Sequence, residues 1–168
     1  GTGMVFLLVL LPFTFIEFFY APWMQAQQEA ATPRKLPEDT KGHVVLTQWD
    51  SVSANLIKKL PTYGYEYVVM IPALEEAREL TELGIRVVLG DLDDPATYEA
   101  VRLKNAAVLA ATGSDTSNTN ATFTAREIAP EVRIISTVSR ESAKEVLQLS
   151  GVDQVIHLPE MMGQSLAR

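Results

Sequence analysis

HVVLTQWDSVSANLIKKL, residues 43–60, reads as a short buried strand that turns directly into an amphipathic helix. Val44, Val45 and Leu46 form an unbroken apolar run, as expected of a strand covered on both faces. Val52, Leu56, Ile57 and Leu60 then fall on one helical face, and Pro61 ends it. The pattern repeats downstream. Apolar runs recur at residues 67–71, 85–89, 106–111, 132–135 and 154–156. Leu74, Ala77, Leu80 and Thr81 make a second helix, closed by Gly84. Asp94 before Pro95 is an N-cap followed by proline at the first helical position. Ser114 or Asp115 opens another helix, reaching Ala129 before Pro130, and residues 140–149 make the last one, before Gly151. Six strands with intervening helices predict an α/β fold, a Rossmann-like doubly wound parallel sheet over residues 42–168.

In such a sheet the first strand-to-helix turn usually carries G-x-G-x-x-G, and an acidic residue ends the second strand to hold a ribose. Here Gln48, Asp50 and Ser53 occupy the glycine positions, and Pro72 stands where the acid would be. A Cβ at the first two positions obstructs close approach of the backbone to a pyrophosphate. Asp50 is placed to cap the helix with its own carboxylate, taking up amides that would otherwise bind an anion. A phosphate oxygen about 4 Å from that carboxylate meets a repulsion of roughly 4 kcal/mol at an effective dielectric near 20. The turn is therefore predicted to be self-capped. NAD is disfavoured and no cofactor is assigned.

The first residues differ in composition from the rest. Residues 4–16 are nearly all apolar, and Phe18, Phe19, Tyr20 and Trp23 follow as an aromatic cluster, with Glu17 the only charge before Glu29. About 20 apolar residues cross a hydrocarbon core, and residues 4–23 reach that length if Pro12 and Glu17 are tolerated. Residues 1–24 are read as the end of a transmembrane helix, with an interfacial or partner-docking helix and a core element as the alternatives. Arg34, Lys35 and Lys41 come next, which places the downstream domain on the cytoplasmic side of an inner membrane. Residues 25–41, with Pro33, Pro37 and many polar side chains, read as a linker.

Charge and residue types narrow the function. A net charge of −7 argues against a nucleic-acid partner, which selects for a basic face. The chain has no cysteine, and no nucleophile elbow, zinc motif or P-loop, so it is not expected to be an enzyme. Asp91, Asp93 and Asp94 invite a hard-cation reading, but Asp94 is better used as an N-cap, and no metal is assigned. His43 and His157 stand at strand edges without an acidic or nucleophilic partner in sequence, and read as packing residues. PTYGYEY, residues 61–67, is superficially like an ion-selectivity filter, yet no pore helix precedes it.

The order of HVVL, GIRVVLGDLDDP (84–95), AAVLAATGSDTSNTN (106–120), AREIAPEVRIIS (125–136) and GVDQVIHLPEMMGQSLA (151–167) resembles the TrkA-N domain, also called RCK, regulator of potassium conductance. LVLLPFTFIEFFYAPW is similar to the end of the inner pore helix that leads into such a domain in ligand-gated potassium channels. The resemblance implies a cytoplasmic gating-ring domain that controls potassium conductance through a ligand- or assembly-dependent change. It implies a homo-oligomer, a dimer within a tetrameric channel or octameric ring, with potassium passing through a pore outside this sequence. Residue by residue, Asp91 after Gly90 matches the position that faces the adenine in nucleotide-binding relatives. Thr112, Ser114, Asp115 and Asn118 border the same crevice, leaving room for a weak adenine-nucleotide contact. The positions of a calcium-gated branch fall on Ala111, Thr137 and Ser139, which do not make that site. Met161, Met162 and Leu166 would line one side of a terminal helix, where the crossover to a neighbouring subunit begins. A degenerate Rossmann oxidoreductase-like protein and a purely structural oligomerisation module are the competing readings.

Overall fold

The computed structural model describes residues 33–157, in which one sheet of six parallel strands runs in the order β3-β2-β1-β4-β5-β6. The strands are β1 Val44–Leu46, β2 Tyr67–Ile71, β3 Val87–Leu89, β4 Val108–Ala111, β5 Arg133–Val138 and β6 Gln154–His157. The helices between them are α1 Ser51–Lys59, α2 Leu74–Glu82, α3 Pro95–Ala100, α4 Asp115–Ile128 and α5 Glu141–Ser150. This is the doubly wound Rossmann order. The helix read over residues 1–24, and Met161, Met162 and Leu166, lie outside the described residues. Among the described residues no helix is long and apolar enough to cross a membrane.

Alternation along each strand divides the core in two. Val44, Leu46, Val69, Ile71, Val87 and Ala110 point to one face, where Ile57 and Leu60 from the first helical segment and Ala77 and Leu80 of α2 cover them. Val45, Val68, Met70, Val88, Leu109 and Ile134 point to the other, under Tyr98, Ala121, Ala125 and Leu147. Neither face is left to water, which explains why the strands read as apolar runs without alternation. The register of the central pair, Val44 to Val108 and Leu46 to Ala110, sets which side chains enter which half.

Three strand boundaries move by two residues or more from their sequence positions, each for a local reason. β3 starts at Val87 and not at residue 85, because the amide of Ile85 donates to Leu80 O at 2.9 Å in closing α2 at Gly84, whose φ is +83°. β4 starts at Val108, because Ala106 completes a 3₁₀ turn by donating to Leu103 O. β5 extends past residue 135 to Val138, since β4 and β6 pair with it on both sides and the Ser136 and Thr137 hydroxyls find carbonyl acceptors.

Residues 33–42 have no regular secondary structure, yet they are tied to the domain along their length. Pro33 O accepts from Leu89 N at 2.9 Å at the sheet's edge strand. Leu36 is buried in the larger half of the core, and its amide donates to Ala100 O at 2.8 Å. Gly42 N donates to Asn105 O at 2.8 Å just before β1 begins. The segment is a strap that runs from the end of β3, past the end of α3, to the start of β1. A chain trimmed to begin at Pro33 is expected to keep cooperative unfolding in urea, followed by circular dichroism. Within it, Leu36→Ala should cost about 2 to 3 kcal/mol, the range for emptying a buried leucine site. A cost under about 0.5 kcal/mol, typical of a surface change, would mean the strap is not part of the core.

Candidate functional site

The sheet reverses direction at β1, so the turns after β1 and β4 diverge and leave a crevice at their carboxyl ends, the usual ligand position in this architecture. In this chain the crevice is crossed by side chains. Gln48 Nε2 donates to Asp50 Oδ2 at 2.6 Å and to Thr112 O at 3.1 Å, bridging the two diverging turns. Its Oε1 lies 3.0 Å from where a Cβ on Gly113 would stand, so the two turns meet closely and Gly113 suits the contact. Thr112 N donates to Thr47 Oγ1 at 3.3 Å, a second link across the same gap.

Asp50 and Ser53 cap α1 reciprocally. Ser53 N donates to Asp50 Oδ1, and Asp50 N donates to Ser53 Oγ, both at 2.8 Å. Both carboxylate oxygens of Asp50 are therefore engaged, one by the helix and one by Gln48. The self-capped turn expected from the sequence is what forms. Gln48, Asp50 and Ser53 come together as one unit, whereas Pro72 is exposed after β2 and takes no part in it.

The residues after β4 divide by role. Ser114 is the N-cap of α4, accepting from Ser117 N at 3.1 Å. Asp115 reaches to the turn after β5, where its carboxylate accepts from Ser139 N at 2.9 Å, Ser139 Oγ at 3.1 Å and Arg140 N at 3.3 Å. Asn118 is fully buried. Its Oδ1 accepts from Gly113 N at 2.8 Å, and its Nδ2 donates to Gly113 O at 3.0 Å and Thr137 O at 2.9 Å. That geometry puts Asn118 behind the crevice wall, fixing the turns after β4 and β5 in place, with both amide hydrogens taken. Thr112 is only partly covered, but its hydroxyl oxygen is buried without a hydrogen-bond partner, the sole group of the five that has unmet bonding capacity within the wall. Asp91 is exposed on the rim, after a tight approach in which a Cβ on Gly90 would come within 2.5 Å of Thr97 Oγ1. Asp94 caps α3, accepting from Ala96 N at 3.0 Å. No group of three or more potential metal ligands occurs among the described residues.

Sequence reasoning missed the bridge made by Gln48 and the inward turn of Asn118, because both contacts join distant parts of the chain. Asn seven residues after the end of β4, and five after Gly113, is the signal that was available for Asn118.

Residues 44–158 match the TrkA-N domain. The chain belongs to the TrkA-N domain family. Solved structures agree. The GsuK channel bound to NAD is 32% identical with a TM-score of 0.77, over 98% of this chain and 30% of that one. GsuK bound to ADP is 32% identical with a TM-score of 0.78, over 98% of this chain and 44% of that one. The GsuK RCK domain is 30% identical with a TM-score of 0.77, over 86% of this chain and 32% of that one. The TrkA-N chain thus spans less than half the length of these structures. No curated protein matches it. NAD and ADP are ligands of that similar channel, which counts mildly against the expectation that NAD is disfavoured here and agrees with room for an adenine nucleotide. The case against NAD in this TrkA-N domain rests on its own Gln48, Asp50 and Ser53.

Asn118→Ala leaves three backbone groups without their partner, and a loss of about 2 to 4 kcal/mol is expected in urea unfolding. Asp50→Ala removes one cap of a solvent-facing helix start and should cost about 1 kcal/mol. The reverse order would contradict the assignment of Asn118 as the group that fixes the wall.

Proposed function

We propose that this chain is the regulatory part of a potassium channel or transport system, a gating-ring domain on the cytoplasmic side of an inner membrane that controls conductance without catalysing a reaction. The observation that carries the reading is a difference in coverage. The GsuK channel structures cover 98% of the chain and the isolated GsuK RCK domain 86%, a difference of about 20 residues, the length that crosses a hydrocarbon core. The apolar, aromatic-flanked residues 4–23 are of that length. Potassium would pass through a pore that this sequence does not include.

Regulation in this reading enters through the crevice rim and through assembly. An adenine nucleotide contacts the rim at Asp91 and Thr112 weakly, while the Gln48 and Asp50 bridge opposes the pyrophosphate of NAD. Assembly is supported by exposed apolar side chains on the adjacent helices α4 and α5: Phe123 is 55% exposed, Val146 52% and Leu149 81%. Those side chains suit burial against a second copy. Met161, Met162 and Leu166 extend the same proposal to the chain's end.

Three measurements test it. A chimera in which this chain replaces the matching segment of the GsuK channel should carry potassium current in planar bilayers, with an open probability that Asn118→Ala changes; current indifferent to the domain would overturn the regulatory reading. Calorimetry should find no NAD site tighter than about 10 μM, near −7 kcal/mol, and NADH should not turn over. Light scattering at about 100 μM, which favours any contact stronger than roughly −5.5 kcal/mol, should find at least a dimer that Leu149→Asp weakens. A monomer there would sink the assembly claim.

A further inference from the structure

The strap of residues 33–42 is held at the end of α3 by a set of contacts that precede β1, away from the crevice at the strands' carboxyl ends. Leu36 N donates to Ala100 O at 2.8 Å, and Gly42 N donates to Asn105 O at 2.8 Å. Arg102 Nε donates to Leu36 O at 3.1 Å from a residue in the left-handed conformation, with φ 54° and ψ 47°. A non-glycine residue there is strained, so surrounding contacts must hold it. Between these bonds sits His43, buried, with Nε2 2.6 Å from Val101 O. A carbonyl oxygen only accepts, so the hydrogen is on Nε2 and Nδ1 keeps its lone pair. Nδ1 is buried and has no hydrogen-bond partner.

We propose that His43 is a proton-operated latch: protonation of Nδ1 releases the strap from the end of α3 while the sheet stays folded. A second ring hydrogen at Nδ1 would be an unsatisfied donor on a buried cation, which is among the costliest things to bury. The ring follows Gly42 directly and bonds Val101 O next to the Ala100 carbonyl that holds Leu36, so the nearest relief is for the strap and ring to swing out to water. The charged groups around it pull in opposite directions. Arg86, before β3, opposes protonation, and Glu66, before β2, favours it less strongly; the two are 3.4 Å apart, and the hydrogen bond to Val101 O also favours the protonated ring. Glu99, Arg102 and Lys104 on the α3 side, and Arg34, Lys35, Glu38, Asp39 and Lys41 on the strap, complete the charged residues on the flanking segments. Burial is the largest influence, and it lowers the pKa of His43 from its ordinary 6.5.

The sign follows from that direction. Above pH 6.5 the ring is neutral whether the strap is docked or free, and the latch is fully closed. As pH falls from 6.5 toward the lowered docked-state pKa, only the released form takes up the proton, so release becomes progressively easier. Below the docked-state value the effect levels off.

Amide hydrogen exchange on the 168-residue chain tests this directly. Protection of Leu36 and Gly42, corrected for the intrinsic rate, should fall about tenfold for each unit by which the docked pKa lies below 6.5 when pH drops from 7.5 to 5. Val69, which donates to Arg86 O within the sheet, should lose less. His43→Gln keeps a neutral donor toward Val101 O and should abolish the dependence. Unchanged strap protection at pH 5, an equal loss at Val69, or persistence of the effect in H43Q would each overturn the proposal. If H43Q does not fold, NMR titration of the His43 ring in the parent chain decides: its midpoint must lie below 6.5 and coincide with loss of Leu36 protection, and a separate midpoint refutes the latch.

Discussion

Backbone groups at the carboxyl ends of β1 and β4 lose their strand neighbours where the chain turns away, and the character of the crevice follows from how they are satisfied. In a dinucleotide site the ligand's phosphates supply many of those partners. In this chain Gln48 supplies one across the gap and Asp50 caps the helix start, so the turn is complete without a ligand. Asp115 does the same for the turn after β5, and Asn118 holds the turn between them from behind. Each carboxylate that closes a turn also adds negative charge where a phosphate would lie. The self-sufficiency of the turns and the negative charge at the crevice therefore have one cause.

What was legible in the sequence was local. Val44 to Leu46 reads as a buried strand because the short run is apolar at every position, and Asp50, Asp94 and Ser114 read as caps because a cap bonds within three residues. The order of six strands followed from the alternation of such pieces. The bridge from Gln48 to Thr112 spans 64 residues and the bond from Asn118 to Thr137 spans 19, and no periodicity encodes either. Leu36 was hidden differently. One apolar residue among prolines and charges has the composition of a linker, and only the fold reveals that the end of α3 has a place for it.

The helix α3 joins these two kinds of feature. Its first turn is fixed by the Asp94 cap and by the close packing of Gly90 on Thr97, directly beneath the rim that carries Asp91. Tyr98 anchors its middle, with the hydroxyl donating to Leu92 O at 2.7 Å and the ring fully buried. Its far end offers the carbonyls of Ala100 and Val101 to the strap and to His43. An element of six residues tied at both ends has little freedom to bend, so a displacement at one end is felt at the other.

Coupling through such an element still requires that whatever binds at the rim distinguishes two positions of α3, since a ligand moves an equilibrium only by its difference in affinity for the two states. In the proposed latch, the released strap is the second state. The docked strap is held by a few hydrogen bonds, one buried leucine and a strained Arg102, so that local opening withdraws a single side chain, Leu36, from the larger half of the core. A rim ligand that favours the docked position of α3 would tighten the strap, and by reciprocity a tight strap would raise that ligand's affinity by the same factor. The closed centre of the crevice does not stand in the way of this. It makes the wall rigid, so that the movable parts are confined to the rim, α3 and the strap.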